Sequence, residues 1–208
     1  MNEDSSLSVQ ASYIRGGTSK GVFFALDDLP LFAAEPGEGR DSLLLRIVGS
    51  PDPYGKHTDG MGGATSSTSK VVIISPSNRI DCDLNYLFGQ VAIDRPKIDW
   101  SGNCGNLSAA VAGFGISRGM LDPKKIPRNG FCEVRIWQEN IRKVIVAKVP
   151  IAKGLVQEDG GFELDGVAFP AAEILLDFVD PGDDSAGSVF PTGSVLDKLE
   201  VPGYGDYQ

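Results

Sequence analysis

Histidine is nearly missing from this chain. His57 is the sole example in 208 residues. A multi-histidine metal centre is therefore excluded, and a Ser-His-Asp triad survives only if His57 itself takes part. Cysteine is scarce as well. Cys82, Cys104 and Cys132 are an odd number, with no CxxC pair and no metal-like spacing, which fits a reducing cytosol without disulfides or zinc. Basic residues are outnumbered, 19 Lys and Arg against 28 Asp and Glu, for a net charge of −9 with no basic cluster to offset it. Nucleic acid and anionic membrane are thus unsuited as partners, and an anionic small molecule requires a locally positive site. No apolar run approaches the ~18 residues of a membrane span. The opening MNEDSSLSVQ is acidic and polar, unlike a secretory signal, so the expected location is the cytoplasm. Rossmann, helix-bundle and DNA-binding patterns, a Walker A spacing and internal repeats are all absent.

What is present is ordinary globular composition, 41% apolar and 23% charged, with 26 glycines and 13 prolines that favour turns and short strands over long helices. Val9–Ile14 and Val22–Leu26 read as a hairpin around Arg15-Gly16-Gly17-Thr18-Ser19-Lys20-Gly21. Asp41–Val48 reads as a helix capped by Asp41 or Ser42 and ended by Gly49. A loop of ~20 residues follows to Ser69, long enough to suggest a functional role. It ends at Lys70, just before the apolar strand Val71–Ile74. Arg79–Phe88 reads as a strand carrying Cys82 toward the core. Val91–Ile93 and Lys97–Trp100 are short extended pieces. Phe131–Gln138 (with Cys132) and Ile141–Val149 are strands joined at Glu139-Asn140. Phe162–Phe169 suggests a hairpin around Asp165-Gly166, and Ile174–Val179 a further strand. Asp180–Gly187 reads as a linker, and Val189–Gln208 as a short extended piece.

The chain is organised around Asp99–Met120, DWSGNCGNLSAAVAGFGISRGM. Leu107–Ile116 is apolar on nearly every face, interrupted only by Ser108, and a helix apolar all round belongs inside a core. Asn103 or Asn106 suits its N-cap. Cys104 then lies at the positive end of a buried helix, which favours thiolate over thiol, while the free N–H groups there suit a carboxylate or phosphate. The alternative is a small buried hydrophobe relieved by neighbouring glycines. Gly17, Thr18 and Ser19 form either an anion nest or a plain flexible turn. Lys70 is either a partly desolvated acid or base, or a solvated residue at a strand edge. Many short strands with one wholly apolar helix imply an α+β fold, a sheet wrapped around that helix.

The pieces YIRGGTSKGVFF, GSPDPYGKHTDGMGGATSSTSKVVI, NYLFGQVAID and DWSGNCGNLSAAV, and more loosely FPTGSVLDKLEVPG, closely resemble the PrpF family of aconitate-isomerase-type proteins. This family lies in the diaminopimelate-epimerase-like superfamily, with methylitaconate isomerases and 4-oxalomesaconate tautomerases as relatives. The resemblance implies two similar lobes, each a strongly curved, mostly antiparallel sheet or barrel around a central buried helix. The active site is then expected between the lobes, at the N-termini of the two helices. Residues 1–187 would be the N-terminal lobe and 188–208 the start of a second, truncated one.

The implied activity is a proton shift across an allylic system in unsaturated di- or tricarboxylic acids, of cis/trans-aconitate or 2-methylaconitate type, without metal or organic cofactor, in propionate catabolism. The family's catalytic Lys falls on Lys70 and its site Cys on Cys104. Backbone and hydroxyl donors from Gly17, Thr18, Ser19, Ser66, Ser67, Asn103, Gly105 and Asn106, with Arg15 adding charge, would hold the substrate. A homodimer is the assembly carried forward. An epimerase of amino-acid type, which usually uses two thiols across a cleft, and a non-catalytic carboxylate-binding fragment are the competing classes.

Overall fold

The structure, a computed structural model, describes residues 7–179, 192–196, 199–203 and 205–207. The first strands are β1 (Ser12–Gly16), β2 (Ser19–Ala25), β3 (Lys70–Pro76), β4 (Leu84–Val91) and β5 (Ile98–Asp99). They are followed by β6 (Asn129–Gln138), β7 (Lys143–Ala152), β8 (Leu155–Val156) and β9 (Leu175–Val179). Together they form one mixed sheet in the order β1-β2-β3-β4-β6-β7-β8, with β5 on β4 and β9 on β7. The pairs β2-β3 and β4-β6 are parallel and the others antiparallel. β10 (Leu199–Val201) and β11 (Gly205–Tyr207) pair with each other as a separate two-stranded sheet, antiparallel, within the stretch read as a short extended piece. The helices are α1 (Leu31–Ala34), α2 (Glu38–Val48) and α3 (Gly105–Ser117).

β2 and β3 are apolar without alternation because both of their faces are covered. Phe23, Ala25, Val72 and Ile74 face the core that holds α3. Val22, Phe24, Val71 and Ile73 face a second core with Leu44, Leu45 and Val48 of α2. A fully buried side chain of this size contributes about 1.5–3 kcal/mol, so the two short strands anchor both layers. α3 touches β1, β2, β3, β4, β6, β7, β8 and β9. The sheet therefore curls around it, as its uniformly apolar surface requires. Gly115 permits the close approach: a Cβ there would lie 2.5 Å from Leu84 Cδ1.

Several boundaries differ from expectation for tertiary reasons. α2 starts at Glu38 behind Gly37, not at Asp41 or Ser42, although Gly49 (φ 89°) does end it. Gly39 looks like a loop residue, yet a Cβ there would sit 2.3 Å from the Phe32 carbonyl oxygen, so glycine lets α1 and α2 close on each other. Arg40 seals the joint by donating to the carbonyls of Ala33 and Ala34. β4 begins only at Leu84 because Ser77 N–H to Asp83 and Cys82 N–H to Arg79 close a turn first, which leaves Cys82 buried in that turn instead of on a strand. Val167 N–H closes the turn at Asp165-Gly166 on Leu164, but only the Phe162–Ala171 bridge accompanies it, so no hairpin strands form. The linker read at Asp180–Gly187, and with it the lobe boundary at 187/188, lies outside the described residues. No helix among the described residues is long and apolar enough to cross a membrane.

Candidate active site

Cys104 itself is the N-cap of α3, in extended conformation, where Asn103 or Asn106 was expected. A thiol caps poorly, so the position is held through the Cys104 backbone. Its carbonyl accepts from Ser108 N–H at 3.0 Å, Ser108 Oγ at 3.0 Å and the Tyr86 hydroxyl at 3.4 Å. Neither Tyr86 nor Ser108 was among the expected site residues. Ser108 left a faint signal as the one polar residue four positions after Cys104 in an apolar run. Tyr86 left none, because its pairing with Cys104 is long-range. The Tyr86 phenol is fully buried, and that desolvation pushes it far above the ordinary tyrosine range, so it stays a neutral donor.

Lys70 is the first residue of β3 and is only 9% exposed. Its Nζ donates to Ser19 Oγ and to Cys104 Sγ, each at 3.2 Å, and lies 5.7 Å from the centre of the Phe88 ring. No carboxylate pairs with it among the described residues. The residue before it is locked in place: the Ser69 carbonyl accepts from Val91 N–H and Gln90 Nε2, and Ser69 Oγ lies 3.4 Å from Nδ1 of the buried His57. Ser19 opens β2 and is 2% exposed, and its Oγ lies 4.0 Å from Cys104 Sγ.

The β1-β2 turn docks onto the first turn of α3. Gly17, at φ 52°, and Thr18 are its two central residues. Asn106 Nδ2 donates to Thr18 Oγ1 at 2.9 Å and to Ser19 Oγ at 3.4 Å. A Cβ on Gly16 would meet the Asn106 carbonyl oxygen at 2.5 Å, and one on Gly17 the Asn106 Oδ1 at 2.5 Å. The two glycines thus let a strand end touch a helix end. The first-turn N–H groups of Gly105, Asn106 and Leu107 have no partner within the helix, and Gly105 and Asn106 are exposed. A carboxylate placed there meets the N–H dipoles and the Lys70 amino group together.

The structure thus gathers Lys70, Cys104, Ser19, Thr18 and Asn106 into one hydrogen-bonded cluster, with Gly17 and Gly105 at its rim. Arg15 is exposed and reaches the turn only by donating to the Gly17 carbonyl at 2.7 Å. Ser67 is joined through its carbonyl, which accepts from Lys20 N–H, and its hydroxyl bonds Thr65. Ser66 is exposed, and the Asn103 Oδ1 is buried without a partner; neither bonds to the cluster. Two cavities, of about 520 and 670 Å³, open elsewhere, one beside the loop from Gly49 to Asp59 and one between α2 and the outer sheet face. Neither is lined by Lys70 or Cys104. No group of three or more His, Cys, Asp or Glu side chains among the described residues is placed to hold a metal ion.

A family model described as PrpF protein matches residues 6–208. The chain is 62% identical over 204 residues to a 2-methyl-aconitate isomerase of Shewanella oneidensis, covering 97% of this chain and 51% of that protein. It is 43% identical over 187 residues to a 4-oxalomesaconate tautomerase of Pseudomonas putida, covering 90% and 49%. Among solved structures, a methylitaconate-delta-isomerase superposes with a TM-score of 0.81 at 37% identity, over 95% of this chain and 48% of that one. The chain therefore spans about half the length of the relatives it matches.

Proposed function

The chain belongs to the PrpF family, and from that membership we propose that it carries one lobe of an isomerase that moves a proton across an allylic system in an unsaturated di- or tricarboxylic acid of 2-methylaconitate type. The observation that carries this reading is the 3.2 Å contact between Lys70 Nζ and Cys104 Sγ at the N-terminus of a buried helix. Proton abstraction beside a carboxylated alkene builds negative charge over a dienolate. The helix terminus, Lys70 and the hydroxyls of Thr18 and Ser19 meet that charge where it develops. Of Lys70 and Cys104, one takes the proton and the other returns it at a different carbon. The N–H groups of Gly105 and Asn106 hold a substrate carboxylate, with Gly17, Ser66, Ser67, Asn103 and Arg15 as the wider binding set.

The same reading takes residues 1–187 as one lobe and 188–208 as the opening of a second, whose own helix end completes the site across a cleft. It needs no metal or organic cofactor, and it fits a cytoplasmic homodimer in propionate breakdown. A two-thiol epimerase is less well supported, because the partner of Cys104 is an amine.

The test uses the chain extended to the length of its relatives. It is incubated with 2-methylaconitate and with cis- and trans-aconitate, and followed by ultraviolet absorbance and by deuterium uptake from heavy water. Interconversion with deuterium at the allylic carbon is the expected result. Absence of turnover on all three acids refutes the reading. The 208-residue chain alone should fall at least ~10⁴-fold short, since losing each well-placed donor costs ~10²–10³. Equal kcat/KM for the short and extended chains refutes the two-lobe arrangement.

A further inference from the structure

Cys104 has a nucleophile at its side that is not a thiol. All three cysteines are free, and no other sulfur bonds to Cys104. The atom in contact with Sγ is the Lys70 amine nitrogen at 3.2 Å. That nitrogen is held by Ser19 and by the fixed start of β3, and no carboxylate among the described residues pairs with it. The two side chains come from sites 34 residues apart, so their contact is a product of the fold and persists without any ligand. The two residues after Cys104, Gly105 and Asn106, are exposed, which leaves a short path for a small oxidant. Cys82 and Cys132 are poorer targets: burial raises both thiols above the ordinary cysteine range and keeps them protonated.

We propose that Lys70 is the resolving group for oxidised Cys104, so that a hydroperoxide converts the pair into a reversible Lys70–Cys104 sulfenamide crosslink. In the first step the thiol sulfur attacks one peroxide oxygen. The O–O bond breaks, Cys104 becomes a sulfenic acid and one water leaves, the sulfur losing two electrons to the peroxide. In the second step the Lys70 amine, in its neutral form, attacks Sγ. The S–N bond forms, the S–O bond breaks, and the hydroxide leaves as water with the proton shed by Nζ. One thiol, one amine and one hydrogen peroxide thus give one sulfenamide and two waters. A thiol reductant reverses the link by attacking Sγ and expelling the amine. Without a resolving group, a sulfenic acid proceeds to the irreversible sulfinic acid. The crosslink protects the sulfur while it silences both side chains.

The experiment is mass spectrometry of the folded protein after brief hydrogen peroxide treatment, alkylation of free thiols and trypsin digestion. Trypsin cannot cut at a modified Lys70. The expected product joins peptide 57–79 to peptide 98–118, lighter by H₂ than the sum of the two, with fragment ions placing the link at Lys70 and Cys104. Dithiothreitol before digestion should abolish it. Lys70→Gln and Lys70→Arg should both lose the linked species and accumulate Cys104 sulfinic acid. Ser19→Ala, which retains both reacting atoms, should keep the link, and a circular dichroism spectrum and melting temperature matching the wild type for each lysine variant exclude a folding defect there. Recovery of Cys104 from the wild type as sulfinic or sulfonic acid, as a mixed disulfide, or unmodified after Cys82 or Cys132 has oxidised would overturn the proposal.

Discussion

The methyl added by Gly16→Ala is expected to cost the folded state about 1–3 kcal/mol, the usual penalty for an added group in a space already filled. The new Cβ would lie 2.5 Å from the Asn106 carbonyl oxygen and 2.8 Å from Leu107 Cα. Both are backbone atoms of the first turn of α3, so no side chain can swing aside. Either the end of β1 lifts away from the helix or the helix start tilts inward against a packed core. Alanine stiffens the unfolded chain, which offsets about 0.4–1 kcal/mol of this, and the expected net loss is about 1–2 kcal/mol. For a chain of this size that is a fall in melting temperature of roughly 2–8 °C. Gly105→Ala is the matched control on the other side of Cys104. There the nearest atom to the new Cβ is Phe178 Cζ at 3.8 Å, an ordinary contact, and alanine in place of glycine suits a helix. Gly105→Ala should be neutral or slightly stabilising. Urea unfolding followed by tryptophan fluorescence and circular dichroism measures both variants. If Gly16→Ala matches the wild type within about 0.5 kcal/mol, or if Gly105→Ala loses as much, close contact between the β1 end and the α3 start is not what the glycine serves.

Three further outcomes follow from the same geometry. In the extended enzyme, Lys70→Ala should lower turnover by at least ~10²-fold, the scale for losing a general acid or base; near-normal turnover with an intact fold would remove Lys70 from the chemistry. Brief alkylation near neutral pH should label Cys104 first, since burial holds Cys82 and Cys132 as thiols; faster labelling of either one would refute this. The Asp52 carboxylate accepts the N–H groups of Tyr54, Lys56 and His57, and these bonds hold its pKa below the ordinary 3.8. A folded-state value below the unfolded one gives stability that is present above the ordinary pKa and lost as pH falls through the lower one. Asp52→Asn should therefore flatten the acid limb of a stability-versus-pH curve below about pH 4, and an unchanged limb would show that the three bonds carry no such linkage.

Much of the architecture was legible from residues alone because it rests on local pattern. A run as uniformly apolar as Leu107–Ile116 has no stable place but a core, and α3 is buried there with only its ends exposed. The apolar runs in β2 and β3 likewise demanded cover on both faces. The glycine that ends α2 was readable because a left-handed terminus is a local requirement. Boundaries failed where glycine served packing and not chain reversal, as at Gly39 beneath the Phe32 carbonyl, and where a turn interrupted an alternating run, as before Leu84.

For the candidate site, the sequence alone singled out Cys104, Lys70 and the Gly-Thr-Ser turn, because turn formers beside a thiol and hydroxyls beside a lysine are visible as composition. It could not bring them together. Ser19, Lys70 and Cys104 are 51 and 34 residues apart, and their contact depends on β2 and β3 pairing in parallel so that both strand starts arrive at the N-terminus of α3. Nor could it identify the Tyr86 hydroxyl or the Ser108 side chain as supports of the Cys104 carbonyl. Side-chain chemistry is a property of each residue and is written along the chain. The distance between two such groups is set by strand order and core packing, which only the folded molecule decides.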